Sequence, residues 1–417
     1  MPPTTNFADR METQLSTELV GFLKQVGEIA AARGEAVYLV GGIVRDLLLE
    51  ETSLDIDLAV EGDAMILARE LIKERGGKIT IHSHFNTAKI LWSTWSIDLT
   101  TTRRESYSRP GALPDVKPGS LNDDLFRRDF SINAMAINLN PKTYGHLIDP
   151  YSGSTDLKGR LIRVLHEKSF IDDSTRIWRG LRYEQRLDFM LEVETLKLLQ
   201  RDIPMLDTIS GDRIRYELEC ILKEKIPEKI LQRAGDLGVL RKLNPALKGN
   251  GWLAEKFGKA RQTILPQTPS PKLYMVLLAY HLTNKESEQF ITYLRLPKST
   301  AQILRDSSSI RKKINKLADP EIKPSQIYHL LHGNTPQAIT ANIIATDSEN
   351  ARCNMRLYTD KLYKIKPALN GNDLIKMGID PGLCMKKMLN KLLDARLNGG
   401  VKTREDEERI MRYWNTK

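Results

Sequence analysis

Cysteine is scarce in this 417-residue chain: only Cys220, Cys353 and Cys384 occur. Their odd number, wide spacing and lack of any C-x-x-C pair argue against a disulfide framework and against a structural zinc site, so a reducing cytoplasm is the expected setting. Long hydrophobic runs are missing as well. The longest, around Tyr274–Tyr280, runs from Leu273 to Tyr280 and has eight residues, far short of the roughly 18 that a membrane helix needs. The N-terminal stretch shows no charged-then-apolar leader pattern, and neither internal repeats nor low-complexity segments occur. With 41% hydrophobic and 28% charged residues, the composition is that of a globular chain with material for two to four domains.

Charge is unevenly placed. Residues 1–165 carry 19 Lys and Arg against 22 Asp and Glu, a net of −3, while the remainder carries 44 against 31, a net of +13. A basic second half suits a polyanionic partner such as nucleic acid, and equally suits a solvated Lys-rich helical surface.

The pattern of apolar residues predicts a small α/β portion followed by a long helical one. A helix is expected over Ser16–Arg33, a strand over Ala36–Val40 ended by Gly41-Gly42, and a helix from Ile43 to Glu50. Leu54–Val60 alternates as a strand, Ala64–Glu74 as a helix, and Lys78–Ile81, Ala88–Trp92 and Ser96–Thr100 as an antiparallel set. Glu105–Ser120, with three prolines and two glycines, reads as a loop, and from Asp123 onward the pattern is helical.

Chemistry concentrates in three segments. On a strand, Asp55 and Asp57 point to one face while Leu54, Ile56 and Leu58 point to the other. Adjacent carboxylates repel, and a divalent cation such as Mg²⁺, shared with substrate phosphates, relieves them. The preceding strand, Gly41-Gly42 and helix offer backbone N–H groups to a phosphate, with Arg45 as a fixed cation nearby. Order and spacing together point to a nucleoside-triphosphate site. Asp98 reads as a third metal carboxylate or as an ordinary exposed strand residue.

The second segment holds Arg127 and Arg128, placed either for phosphate and ribose or for a local ion pair of Asp123 with Arg127. The third runs Asp172-Asp173-Ser-Thr-Arg176-Ile-Trp-Arg179-Gly-Leu-Arg182. Asp173 and Arg176, three apart, are expected side by side on one helix face, with Arg179 and Arg182 extending the row. An acceptor beside a donor matches the edges of cytosine and adenine and mismatches guanine and uracil. Taken alone, this segment reads better as a surface ion pair near a helix start. The seven histidines show no metal-ligand spacing; His82 with His84, and His329 with His332, take ordinary roles.

Taken together, these segments resemble the class II tRNA nucleotidyltransferases, the CCA-adding family that includes bacterial poly(A) polymerases. The resemblance covers essentially the whole chain. Its G-G-x-V-R-D element falls on Gly41 to Asp46, its D-x-D on Asp55 and Asp57, and its R-R-D-F-x-I-N-A on Arg127 to Ala134. The linker element matches Asp149-Pro150, Gly153, Asp156-Leu157 and Ile162-Arg163. The E-D-x-x-R template falls on Asp172, Asp173 and Arg176, and a later arginine-containing element on Gly211 to Glu217.

The resemblance implies an α+β chain: a nucleotidyltransferase head (1–150), then a helical neck (151–212), body (213–320) and tail (321–417). It implies transfer from CTP and ATP to the tRNA 3′ end. Asp55 and Asp57 would hold Mg²⁺, with Asp98 as a further catalytic carboxylate. Gly41, Gly42 and Arg45 would hold phosphates and Arg128 the ribose, while Asp173 and Arg176 would read the base, supported by Arg179 and Arg182. A poly(A) polymerase, a partial CC- or A-adding enzyme, and a non-catalytic RNA-binding relative are the alternatives.

Four positions depart from the family pattern. Asp172 stands for Glu, Ser174 for Pro, Gly180 for Ala and Asp188 for Gly. No His-Asp dipeptide occurs, so the phosphohydrolase domain of some relatives is not expected in this chain, and neither is the long basic C-terminal extension of many poly(A) polymerases.

Overall fold

The computed structural model describes residues 6–51, 55–82 and 86–415, and the chain divides into two compact units, 1–217 and 218–417. Leu54, read from the sequence as a strand residue, and His84 lie outside the described residues.

The first unit opens with α1 (Ala8–Gln14) and α2 (Thr17–Ala32). Ser16 caps α2 by accepting from the Leu19 N–H at 3.2 Å. Leu19, Phe22, Leu23, Val26 and Ala30, three or four apart, form the buried face. Strand β1 (Ala36–Val40) is apolar throughout because it is interior to the sheet. It pairs antiparallel with β2 (Asp55–Glu61) on one edge and with β8 (Ala136–Asn138) on the other.

Helix α3 (Gly42–Leu49) links β1 to β2, and α4 (Ala64–Arg75) follows, capped by the Asp63 side chain at the Met65 and Ile66 N–H groups. The antiparallel meander β3 (Lys78–His82), β4 (Thr87–Trp92), β5 (Trp95–Thr101) then brings β5 back beside β2 in parallel. The sheet order is β3-β4-β5-β2-β1-β8-β9, with β9 at Leu147–Ile148. Ile56, Leu58, Ile90, Ile97 and Leu99 are essentially inaccessible.

Two sequence expectations are corrected here. The stretch read as a loop over Glu105–Ser120 is non-strand over 107–114, but its flanks form an antiparallel ribbon of β6 (Arg103–Ser106) and β7 (Asp115–Pro118). Pro110, Gly111 and Pro114 belong to its connecting turn, which is why the segment looked structureless. The region after Asp123 is not purely helical either: β8 and β9 complete the main sheet, and β10 (Leu161–Ile162) pairs in parallel with β11 (Met190–Leu191). Strands of two or three residues carry too few positions for a periodic signal.

Among these short strands run α5 (Leu121–Phe126), α6 (Gly153–Gly159), α7 (Ser169–Asp172), α8 (Thr175–Arg186), α9 (Val193–Asp202) and α10 (Gly211–Ile221). In α8, Ile177, Trp178 and Leu181 are fully buried, Arg176 is buried as well, and Arg179 is left partly exposed.

The second unit contains helices and loops and no strand among its described residues. The helix Pro336–Ala345 packs against Pro271–Leu278 and Lys298–Arg311. The buried Lys256 ammonium is neutralised by Asp347 at 2.9 Å. Cys220, Cys353 and Cys384 are free thiols. Among the described residues no helix is long and apolar enough to cross a membrane.

Candidate active site

The site begins where β1 ends. Val40 lies opposite Asp57, and the chain then turns at Gly41 with φ +79°. A Cβ on Gly41 would sit 2.9 Å from Arg128 Nη1 and 3.5 Å from Asp57 Oδ2, so only glycine lets both side chains approach this corner. Gly42 opens α3. Arg45, one turn later, is buried and committed: it donates to Asp46 Oδ1 at 2.7 and 2.9 Å and to Asn133 Oδ1 at 2.8 Å, and it lies 5.4 Å over the Tyr183 ring. It is a fixed cation, as expected, but one whose charge Asp46 already balances.

Asp55 and Asp57 face a cleft of about 500 Å³, with Ile56 and Leu58 beneath them. Burial, and then the charges of Asp98 and Asp55, push the Asp57 carboxyl up against the pull of Arg128 and Lys89. Asp98 stands opposite Asp57 on β5, but Lys89 holds its carboxylate at 3.1 Å and it is not part of the cleft lining. Among the described residues no three His, Cys, Asp or Glu side chains form a ready metal cage.

Opposite them stand the arginines after α5. The expected Asp123–Arg127 pair does not form, because Asp123 closes a capping box with Ser120. The buried Asp124 instead takes Arg127 at 2.6 Å and Arg128 at 3.0 Å. Arg127 also approaches Glu105 of the ribbon at 3.5 Å. Asp129 accepts from Arg179 and Asn133. Although burial opposes ionisation, the Arg179 charge and these hydrogen bonds lower the Asp129 carboxyl to about 2.

The far end of the cleft corrects the expected base-reading pair. Asp173 is not on a helix face: it terminates α7 in extended conformation, φ −139° and ψ 98°, two residues before α8. Its Oδ1 accepts from the Thr175 N–H and hydroxyl and from Arg213 Nη2 at 2.7 Å. The Arg176 guanidinium is buried and donates to Ser169 Oγ at 2.7 Å and to the Arg127 carbonyl at 2.6 Å. Both residues line the cleft, yet the partner of Asp173 is Arg213.

Arg179 lines the cleft, whereas Arg182 lies outside its lining, beside Glu217 at 3.6 Å and over the Tyr183 ring at 5.4 Å. Glu217 itself is pushed up by burial, against Arg179 and Arg182.

The departures from the family pattern have local reasons. Ser174 Oγ donates to the Met205 carbonyl at 3.0 Å, replacing the rigidity of proline with a tether. Gly180 packs on the Phe130 ring, where a Cβ would be 3.1 Å from Cζ. Asp188 takes φ +55°, the conformation glycine favours, and pairs with Arg160 at 2.6 Å. Asp172 lies 4.0 Å from His166.

The residue reading missed Glu105, Tyr107, Asn133, Tyr183, Arg186 and Arg213 as cleft residues. Arg213 and Asn133 lay inside recognised motifs but received no role. Glu105 was hidden in the apparent loop, and Tyr183 follows the arginine row as an ordinary helical aromatic.

A mixed sheet carrying two carboxylates on one strand, a Gly-turn-helix corner and a cleft lined by seven arginines defines a nucleotidyltransferase-type head. The family descriptions agree. A profile described as the poly A polymerase head domain matches residues 37–163, and one described as a probable RNA and SrmB-binding site of polymerase A matches 188–249. An A-adding tRNA nucleotidyltransferase of Geobacter sulfurreducens is 34% identical over 96% of this chain and 47% of its own length. The A-adding tRNA nucleotidyltransferase of Halalkalibacterium halodurans is 30% identical over 99% of this chain and 96% of its own. A solved CCA-adding enzyme, in apo form II, superposes with a TM-score of 0.85 at 31% identity, covering 98% of this chain and 99% of that one. Relatives named CCA-adding (Geobacillus stearothermophilus, 26%, over 94% of this chain and 95% of its own) and CC-adding (Deinococcus radiodurans, 28%, over 90% and 88%) also match. This chain belongs to the tRNA nucleotidyltransferase family with the poly(A) polymerase head. It spans about half the length of the Geobacter relative.

Proposed function

We propose that the protein extends the 3′ end of tRNA with nucleotides from CTP and ATP, completing C-C-A. The observation that carries this reading is one cleft with Asp55 and Asp57 at one end and the Asp173–Arg213 pair at the other. The two ends match the two tasks of such an enzyme, phosphoryl chemistry and choice of base.

The residues present fit Mg²⁺. Asp55 and Asp57 are oxygen donors on one strand face, and the Asp57 carboxyl is raised by burial first and then by the neighbouring charges of Asp98 and Asp55. When bound, Mg²⁺ supplies a lowered pKa for the attacking hydroxyl and charge neutralisation on the triphosphate. The chain's own groups do the rest. The α3 N-terminus at Gly42 orients phosphate oxygens, and Arg128, fixed by Asp124, stands beside Gly41 for phosphate or ribose. Asp173 offers an acceptor and Arg213 a donor to the edge of cytosine or adenine. The RNA 3′-hydroxyl displaces pyrophosphate at the α-phosphorus. Three free cysteines accord with work in a reducing cytoplasm.

A second reading, addition of the terminal adenosine alone, is favoured by the names of the Geobacter and Halalkalibacterium relatives. The deciding experiment uses tRNA truncated before C-C-A and tRNA ending in C-C, each with CTP, ATP or both. Two cytidines and then one adenosine on the first substrate support C-C-A addition. Activity only with ATP on the second supports the narrower enzyme, long adenosine tails mark a poly(A) polymerase, and no transfer to either refutes both readings.

A further inference from the structure

The head holds another hollow, of about 570 Å³, which shares no lining residue with the catalytic cleft. The cleft takes the start of α3, at Gly42 and Arg45, and this hollow takes its end, at Leu48 and Leu49. Its walls are apolar. Phe7, Leu48, Leu49, Leu147 and Leu157 line it, and of these only Leu157 is buried. Four large apolar side chains therefore stay partly open to solvent in one concavity, the usual form of a small-ligand site. The walls are tied together without a ligand. The Phe7 N–H donates to the Gly145 carbonyl at 2.7 Å and Asn6 Nδ2 to the Tyr144 carbonyl at 3.2 Å. Arg10 donates to the Leu48 carbonyl at 3.4 Å and lies 5.6 Å over the Phe7 ring.

Most polar groups of the rim are already engaged. Asn6 Oδ1 accepts from the Ala8 N–H, Ser154 Oγ donates to Asp149, and Arg10 pairs with Glu50 at 3.3 Å. Lys158, in the last turn of α6, is exposed and makes no ion pair among the described residues. The rim thus offers one uncommitted ammonium, while the exposed Asp9 and Glu50 stand against a polyanion. A triphosphate or an RNA backbone brings several negative charges and no apolar surface. A single carboxylate on an apolar body matches both the walls and the charge.

We propose that this hollow binds an aliphatic monocarboxylate, its chain laid against Phe7, Leu48, Leu49 and Leu147 and its carboxylate held by Lys158. The site goes beyond nucleotidyl transfer and does not rest on that reading.

The test titrates the full chain with decanoate, hexanoate and decanol, each kept below the concentration at which it self-associates, and reads binding by calorimetry. Wild type should bind decanoate about tenfold more tightly than decanol, because only the carboxylate gains a charged partner in Lys158. It should bind decanoate more tightly than hexanoate, whose shorter chain covers less of the apolar wall. Lys158→Glu should weaken decanoate about tenfold and leave decanol unchanged, while Leu49→Gln should weaken both. Excess ATP should displace neither ligand. Lys158 is exposed and Leu49 partly so, and unfolding midpoints equal to wild type confirm that both variants keep the fold. The proposal is overturned if wild type does not bind decanoate, if Lys158→Glu binds it as tightly, or if ATP displaces it and so places it in the catalytic cleft.

Discussion

Asp173 receives the Arg213 guanidinium at 2.7 Å, while Arg176, three residues further along, turns inward to Ser169 and the Arg127 carbonyl. An acceptor–donor pair presented from Asp173 is therefore assembled from residues 40 apart in sequence. Arg176 instead braces the start of α8 against the turn that carries Arg127 and Arg128.

The two arginines should separate in mutagenesis. Arg213→Ala removes the donor beside Asp173 and should lower discrimination of CTP and ATP against GTP and UTP about tenfold with little change in unfolding midpoint, because the side chain is partly exposed. Arg176→Ala leaves buried acceptors unsatisfied and should cost about 1–3 kcal/mol of stability. Nucleotide competition assays and urea unfolding on both variants check this. A stable Arg176→Ala with lost base selection would restore Arg176 as the reader.

The paired carboxylates make a second prediction. Asp55→Ala and Asp57→Ala should each abolish transfer without loss of fold, since removing one crowded anion relieves the other. Mg²⁺ should raise the Tm of wild type, and EDTA should reverse the rise. In the double variant Mg²⁺ should leave Tm unchanged. Equal Mg²⁺ stabilisation of wild type and double variant would place the metal elsewhere.

Asp129 gives the pH dependence. Its carboxyl is lowered from the ordinary 3.8 to about 2 in the folded protein. A depressed acid stabilises the fold above its unfolded pKa and loses that contribution as pH falls through the folded one. The window is thus pH 4 down to 2, and the contribution at neutral pH is about 2 kcal/mol. Asp129→Asn should lower stability at pH 7, and its deficit should shrink as pH drops below 4. A deficit independent of pH would show that Arg179 stabilises Asp129 by packing rather than by charge.

What the sequence revealed of this site follows from how locally each feature is encoded. The alternation through Asp55-Ile56-Asp57-Leu58 states its own geometry, because strand periodicity needs no partner to be read. Gly41 between an apolar strand and a helix is equally self-contained. The Asp173–Arg213 contact spans 40 residues and depends on Asp173 leaving helical conformation, which the i,i+3 rule cannot foresee. Strand β8 is three residues long and is ordered by β1, almost 100 residues earlier. The ribbon was hidden because its turn prolines and glycines outweigh two four-residue strands.

Gly180 tests whether a departure from the family pattern is compensated. Helix propensity alone favours Gly180→Ala by about 1 kcal/mol. The added Cβ would press on Phe130, which is fully buried and packs edge-on to Tyr183 at 5.9 Å. Overpacking of this kind typically costs about 1–3 kcal/mol, so the urea midpoint should stay level or fall. A midpoint raised by the full propensity gain would mean that the Phe130 ring yields freely.

The ribbon tip provides the last prediction. Gly111 takes φ +69°, and a Cβ there would fall on the Thr208 hydroxyl and carbonyl. Its N–H donates to the Ile171 carbonyl at 3.4 Å, and its own carbonyl accepts from Arg213 Nη1 at 3.3 Å. The same guanidinium thus touches the ribbon and Asp173, so displacing the ribbon tip shifts the donor beside the carboxylate proposed to read the base. Gly111→Ala combines left-handed strain of about 1–2 kcal/mol with a backbone clash and should undock the tip. On a tRNA ending in C-C, the preference for ATP over CTP should fall several-fold while the KM for tRNA holds. If the protein builds the whole C-C-A end, the variant should still add both cytidines and stall before adenosine. Deleting Gly111–Val116 should do the same more severely. Equal loss of cytidine and adenosine addition in both variants would show that the ribbon supports the cleft as a whole and does not select the nucleotide.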